Sequence, residues 1–230
     1  MTTTQNRSSA VMQQRTEPHN SLDDFPTPPW ATRALFEGPE GEWSLQTSTR
    51  SVREPCANRG YMVRPLKERF ASVLASDVFD YGCGFAVQDY LFGPIPERTN
   101  WTVMNPPFRL AEQFIARSVQ CSDITAVFVR TSFLEGQDRC NNLFLKHRPM
   151  NILHFAERVV IHKGKMLDPD VPIKHWDKNK NEWVMRKPST ATSYSWVVFG
   201  DYPAKKTLTD WIPPCRKRLE RASDYEGYGG

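Results

Sequence analysis

Apolar and polar positions along the chain fall into short segments with two distinct periods. The runs within Ser72-Val73-Leu74-Ala75-Ser76-Asp77, Trp101-Thr102-Val103-Met104 and Ile124-Thr125-Ala126-Val127-Phe128-Val129 have strand length and predict strands at 73–76, 101–104 and 124–129, the first of them buried. Between them the period lengthens to that of a helix. Met62, Leu66 and Phe70 share one face, with Arg64, Lys67, Glu68 and Arg69 around the other, so a helix is expected near 62–70. Further helices are expected near 110–118 and 136–147, and a short one beginning near Trp30 after a proline-rich lead-in. Two more apolar runs, 152–156 and 194–199, read as the last strands. This alternation argues for an α/β fold with a mostly parallel sheet and helices on both faces.

The rest of the pattern gives the organisation. Residues 1–20 are polar and rich in Thr, Gln and Ser, and are expected to form a flexible N-terminal tail. A single domain is expected over 21–204, with a loop at 37–50, a basic, tryptophan-containing insertion at about 162–190, and a C-terminal basic segment and tail over 205–230. A chain of 230 residues buries one good core and little more. Its net charge of +4 suits a polyanionic partner without demanding one. Five cysteines without a Cys-x-x-Cys pair point to free thiols and a reducing compartment, hence a cytoplasmic location. The five histidines have no metal-ligand spacing, so no metal is expected. No stretch reads as a signal peptide or membrane span, and no Gly-x-Ser-x-Gly or Gly-Lys-Ser sequence supports a hydrolase or kinase.

The strongest chemical signal is Asn105-Pro106-Pro107-Phe108, directly after an apolar run. Two successive residues without an N–H cannot extend a ladder, so the chain must leave the strand there. At the carboxyl edge of an open α/β sheet, the Asn105 oxygen and nearby carbonyls can accept from an amino group, and Phe108 supplies a flat face for a base. Upstream, Glu54-Pro55-Cys56-Ala57-Asn58-Arg59-Gly60 reads as a turn feeding a helix, with Asn58 tolerating the left-handed backbone where a glycine is usual. Asp77 follows at a strand end, where acids commonly hold a ribose. Cys56 reads as a small wall residue rather than a nucleophile.

Together with Phe25-Pro26-Thr27-Pro28-Pro29 and Val87-Gln88-Asp89-Tyr90-Leu91, and with Ile124 to Gly136 matching the following core unit, these segments resemble S-adenosylmethionine-dependent DNA adenine N6-methyltransferases of restriction and phage type, over roughly residues 22 to 200. The resemblance implies a class I methyltransferase, Rossmann-like fold in which the last two strands pair as an antiparallel edge hairpin. It implies S-adenosyl-L-methionine as cofactor, held by Phe25, Thr27, Pro28, Glu54, Pro55, Cys56, Ala57, Gly60, Asp77, Val78, Asp89, Tyr90 and Asn105. Within that set, Thr27, Pro28 and the loop around Ala57 and Gly60 take the methionine end, Glu54 and Asp77 order the loop and hold the ribose, and Asp89 takes the adenine amine. Asn105, Pro106, Pro107 and Phe108 would be catalytic, with Phe108 stacking on the flipped base. One departure is visible: Leu45 to Arg53, where that family has its central strand, is far more polar than such a strand usually is.

Within the insertion, Lys163, Lys165, Lys174, Lys178, Lys180, Arg186 and Lys187 interleave with Trp176 and Trp183. Lysines can neutralise phosphates and indoles can stack on bases, so Lys163, Lys165, Trp176 and Trp183 are the nucleic-acid-binding candidates. A solvated loop or β-hairpin with its tryptophans packed on the core is the competing reading. Cys215-Arg216-Lys217-Arg218-Leu219-Glu220-Arg221 reads as a solvated basic helix face or a further nucleic-acid contact. DNA is the expected partner. RNA adenine methylation, protein-glutamine methylation and a non-catalytic nucleic-acid-binding role stand as alternatives.

Overall fold

The computed structural model describes residues 23–37, 47–177 and 181–226. The tail expected at 1–20, most of the loop expected at 37–50, Lys178, Lys180 and residues 227–230 lie outside the described residues. Ten strands form: β1 Ser51–Glu54, β2 Ser72–Asp77, β3 Ala86–Val87, β4 Thr99–Met104, β5 Ser122–Arg130, β6 Asn151–Phe155, β7 Ile173–Asp177, β8 Glu182–Arg186, β9 Tyr194–Gly200 and β10 Leu208–Ile212. The helices are α1 Pro29–Leu35, α2 Val63–Lys67, α3 Ala111–Ser118, α4 Gln137–Arg139 and α5 Arg216–Leu219. Eight strands make one sheet in the order β10-β6-β9-β5-β4-β1-β2-β3, parallel except for β9, which runs antiparallel to both β5 and β6.

The α/β, mostly parallel architecture expected from the pattern is therefore present, and its core follows from the period-two alternation. Trp101 and Val103 of β4, with Ala126 and Phe128 of β5, enter the cluster beneath α1 and α2. Met104, Val127 and Val129 enter the opposite cluster, beneath α3. A strand buried on both faces reads as a continuous apolar run, which is why β4 and β5 stand out in the sequence.

Five details depart from the sequence reading. Strands β6 and β9 do pair antiparallel, but β9 lies between β5 and β6 and β10 adds outside β6, so the pair is internal rather than an edge hairpin. The sheet thus continues past residue 204 into the segment read as a C-terminal tail. The polar stretch before the Pro55–Gly60 turn is a four-residue central strand, β1, between β2 and β4. Its polar groups are only partly paired: Arg53 donates to the Glu97 carbonyl at 2.7 Å and one Glu54 oxygen accepts from the Cys56 N–H at 2.8 Å, while the other Glu54 oxygen has no partner among the described residues. Strand β2, expected to be buried, is half open, with Leu74 47% exposed, because among the described residues no helix joins β2 to β3 or β3 to β4 to cover it. The helix expected over 136–147 is one short α-helical turn, α4, followed by a π-helical turn at Cys140–Phe144.

The basic C-terminal cluster is a solvated helix face, as expected, with Lys217, Arg218 and Arg221 exposed, but its charges are paired and do not form an open cationic patch. Arg216 and Lys217 pair with Asp170 and Glu220, Arg218 with Glu37, and Arg221 with Glu68. Arg33 of α1 anchors this segment from below, donating to Asp224 at 2.7 Å, to Glu68 at 2.9 Å and to the Leu219 carbonyl at 2.8 Å.

The insertion folds as a separate two-stranded hairpin, β7–β8, in which Trp176 and Trp183 are directly opposite each other. Their rings meet edge to face at 5.4 Å and remain 39% and 66% exposed, so they pack on one another rather than on the core.

Candidate active site

The site forms at the carboxyl ends of β1, β2 and β4, which lie side by side in the sheet. After β1 the chain turns through Pro55 to Met62 into α2. Two residues there take left-handed torsions, Asn58 at φ 49° and Gly60 at φ 83°. Asn58 does fill the place of a glycine, and its environment compensates: its N–H donates to Asp77 at 2.9 Å and its side-chain amide to Asp24 at 2.8 Å. Gly60 is fixed by space as well as by torsion, because a Cβ there would lie 2.9 Å from the Phe85 ring.

A cleft is lined by Phe25, Thr27, Pro55, Cys56, Ala57, Asp77, Val78, Asp89, Tyr90, Asn105 and Pro107, all of them residues anticipated from the sequence. Pro28, Glu54, Gly60, Pro106 and Phe108 are not part of the wall. Pro28 is the residue capping α1, and Glu54 and Gly60 shape the loop from behind. The wall also includes Asp23, Tyr61, Met62, Tyr81, Leu91, Leu110 and Phe114. Asp23, Tyr61 and Tyr81 converge on the cleft only through the fold; Met62, Leu110 and Phe114 are legible as helix positions and Leu91 as the end of the Val87–Leu91 segment, but not as wall.

The wall chemistry fits a nucleoside carrying an amino acid. Asp77 at the end of β2 uses its oxygens to hold the N–H groups of Asn58 and Phe79, at 2.9 and 3.0 Å, and its carboxyl is raised, chiefly by burial. The Asp89 carboxylate accepts from the Leu91 N–H at 2.9 Å, and the residue is exposed. Tyr90 turns its hydroxyl into the core, to Ser118 at 3.0 Å, and stacks its ring on Phe114 at 5.3 Å, giving an apolar side. Burial pushes the Cys56 thiol up, with Glu54 and Asp77 adding to it, so it stays protonated and acts as wall.

Glu54 is the most telling group. It is fully buried, one oxygen accepts from the Cys56 N–H, and the other finds no hydrogen-bond partner among the described residues. Burial drives its carboxyl well above the ordinary range, partly opposed by the Cys56 hydrogen bond. An acid raised in the folded state loses stability as pH climbs from the ordinary glutamate value toward the folded one, because the unfolded chain ionises first. Glu54→Gln is therefore expected to raise the melting temperature near neutral pH, with the gain vanishing in acid. Melting curves across about pH 5 to 8 check this; a lower melting temperature at neutral pH contradicts it.

Asn105 follows β4, and its side-chain amide donates to the Phe25 carbonyl at 2.9 Å and to Thr27 Oγ1 at 2.8 Å. The Phe108 N–H is held by the Asp23 carboxylate at 2.9 Å. The Phe108 ring is not an open platform. The Arg130 guanidinium lies over it at 4.1 Å from the centroid, and Phe25 packs against it at 5.6 Å with the planes tilted by 32°. A base that stacks on Phe108 must displace this arginine. Lys163 and Lys165 are exposed on a turn at the start of the insertion, whose Gly164 N–H donates to the Asp24 carbonyl at 2.7 Å.

Compared with known proteins, the chain matches no family model and no curated sequence. Among solved structures it resembles a putative class I S-adenosylmethionine-dependent methyltransferase from Listeria monocytogenes, with 11% identity over 84% of this chain and 68% of that one, at a TM-score of 0.57. A modification subunit of a putative type I restriction enzyme from Vibrio vulnificus is similar at 15% identity and TM-score 0.52, over 81% of this chain but 46% of the subunit. A putative RNA methyltransferase from Pyrococcus horikoshii gives 13% identity and TM-score 0.52, over 84% of this chain and 95% of that one. The fold is thus the Rossmann-like fold of class I methyltransferases.

Proposed function

We propose that the protein transfers a methyl group from S-adenosyl-L-methionine to the exocyclic N6 amine of adenine in DNA. The observation that carries this reading is that Asn105, at the carboxyl end of β4, lines the same cleft as Asp77 and Asp89. An amide acceptor and a nucleoside-type pocket thereby share one wall, in a fold common to methyltransferases. The neighbour from Vibrio vulnificus is described as a restriction-enzyme modification subunit, which is in keeping with a DNA substrate.

In this reading Asp77 holds ribose hydroxyls, Asp89 accepts from the cofactor's adenine amine, and Glu54, behind the wall, orders the loop through the Cys56 N–H. When bound, S-adenosylmethionine supplies a methyl carbon already activated by its sulfonium. The protein's task is then to place the acceptor in line with that carbon and exclude water. The adenine amine is a poor nucleophile while its lone pair is shared with the ring. Asn105 Oδ1 and the Pro106 carbonyl accept its two hydrogens, favouring tetrahedral character at nitrogen, and the surplus proton leaves to water after transfer. The target base is first rotated out of the duplex onto Phe108, exchanging places with Arg130.

Transfer of labelled methyl to unmethylated genomic DNA, followed by nucleoside mass spectrometry, tests the reading. N6-methyladenine supports it. Label in RNA or in a protein glutamine, with none in DNA, overturns the substrate, and cofactor binding without any product overturns the activity. The exposed tryptophan pair supports a DNA-facing role for the hairpin. Replacing both Trp176 and Trp183 by alanine is expected to weaken oligonucleotide binding by about tenfold or more, given about 1–3 kcal/mol per stacked base, and to spare cofactor affinity. Anisotropy titrations at fixed salt check this; unchanged DNA affinity removes the hairpin from the interface.

A further inference from the structure

The residues Asp23 to Thr27 do more than border the cleft. Four of the five, all but Pro26, are tied to the loop after β1 or to the turn after β4. The Asp23 carboxylate holds the Phe108 N–H, and Asp24 accepts from the Asn58 amide at 2.8 Å and from Arg59 at 3.0 Å. The Phe25 ring is buried against Phe108, and the Phe25 N–H donates back to the Asp23 carbonyl at 2.9 Å. Pro26 and Pro28 restrict the torsions of the residues they follow, so Phe25 and Thr27 are held extended. The segment is a rigid strap between the cofactor loop and the Asn-Pro-Pro-Phe turn.

Against this strap the Asn105 amide has one sensible orientation. A backbone carbonyl can only accept, so the group facing Phe25 O must be the amide nitrogen. Its second hydrogen goes to Thr27 Oγ1, and both donors are then used. Rotating the amide by half a turn sets its oxygen against the Phe25 carbonyl and strands the nitrogen in the cleft. With the nitrogen held, Oδ1 keeps its lone pairs for an incoming N–H.

Resting on the reading above, we propose that Thr27 is a positioning residue for Asn105, acting with the Phe25 carbonyl to set the amide so that its oxygen, and not its nitrogen, meets the substrate amine. This assigns Thr27 a role different from contacting the methionine end of the cofactor. It also restricts the substrate to donors: a planar NH₂ is accepted, whereas a carbonyl in the same place meets an acceptor. Thr27 is 3% exposed, so Thr27→Val keeps the volume and removes only the hydroxyl acceptor.

The test has two independent readouts on the full chain. In NMR spectra with the Asn105 side-chain amide assigned by its loss in Asn105→Ala, the hydrogen bound to Thr27 is expected to exchange with solvent severalfold faster in Thr27→Val. In turnover with DNA, Thr27→Val is expected to lower kcat by about tenfold, the scale of one neutral hydrogen bond. Its calorimetric affinity for S-adenosylmethionine stays within about twofold of wild type, and Thr27→Ser regains most of the rate. Faster amide exchange in a protein that methylates nothing leaves the positioning role standing and sinks the proposed reaction. Methylation with unaltered amide exchange and kcat overturns the positioning role, as does a fall in cofactor affinity with kcat intact. Should Thr27→Val not fold, Thr27→Ser and Thr27→Ala are read the same way, the first near wild type and the second impaired.

Discussion

Asn105→Ala is expected to lose methyl transfer by about 10²–10³-fold or more, the scale seen when one preorganised polar group facing a reacting atom is removed, while S-adenosylmethionine still binds. The argument rests on what Asn105 touches. Its nitrogen is engaged by the strap at 2.9 and 2.8 Å, so its oxygen is the available acceptor, and it stands at the strand end beside the cleft. Alanine keeps the turn, because Pro106 and Pro107 define it, and it leaves Asp77, Asp89 and Glu54 in place. Single-turnover methyl transfer with parallel calorimetry separates the outcomes. A variant that still turns over near wild type excludes Asn105 as the amine acceptor, and one that loses cofactor affinity in proportion to rate makes it a cofactor ligand instead.

Arg33→Ala is expected to destabilise the protein by about 3–5 kcal/mol, the cost of leaving a buried partner charge uncompensated, which lowers the melting temperature of a domain this size by roughly 6–20 °C. Arg33 and Asp224 have side chains only 6% and 2% exposed, and the guanidinium also satisfies Glu68 and the Leu219 carbonyl. Burial works against the charge on Arg33, but its hydrogen bonds to Asp224 and Glu68 overcome this and hold it well above its ordinary value. Burial likewise raises Glu68, yet the Arg33 hydrogen bond prevails and lowers it. Stability from Glu68 is therefore present above the ordinary glutamate value and lost as pH falls through the lowered one. Thermal and urea unfolding check the prediction, and pairing Arg33→Met with Asp224→Asn is expected to recover much of the loss. A single variant that melts like wild type would show that Asp224 finds another partner.

What could be read from the sequence follows from where each signal resides. Strands β4 and β5, buried on both faces, announce themselves as apolar runs, and the Asn-Pro-Pro-Phe turn announces itself by missing donors. Strand β1 is hidden because two of its four residues, Arg53 and Glu54, are charged yet buried, and Arg53 is held by distant partners, Glu97 among them, that no local window contains. Strand β10 is hidden for the opposite reason: Leu208 and Trp211 are 64% and 62% exposed, and the segment is a strand mainly because β6 lies beside it. The open β2 face follows from connections to β3 and β4 that hold no helix among the described residues, which a periodicity reading of β2 alone does not register. At the site, residue types from the cofactor loop and β4 are visible in order, whereas the Arg130 cover on Phe108 joins the end of β5 to the turn after β4 and has no sequence signature. Asp23 is visible only as one of two acids before a proline-rich stretch.

The strap also has a bearing on when the site comes into being. The bonds from Asn105 to Phe25 and Thr27 close intervals of 80 and 78 residues, and the Asp23 bond to Phe108 closes 85. Loops of that length form late relative to local helices and hairpins, since their closure entropy is met before their contacts are gained. A growing or refolding chain can thus hold α2 and the cofactor loop in near-final form while the Asn105 amide still rotates freely. The orientation of the Asn105 amide is thus set as part of global folding rather than as a local property of the motif.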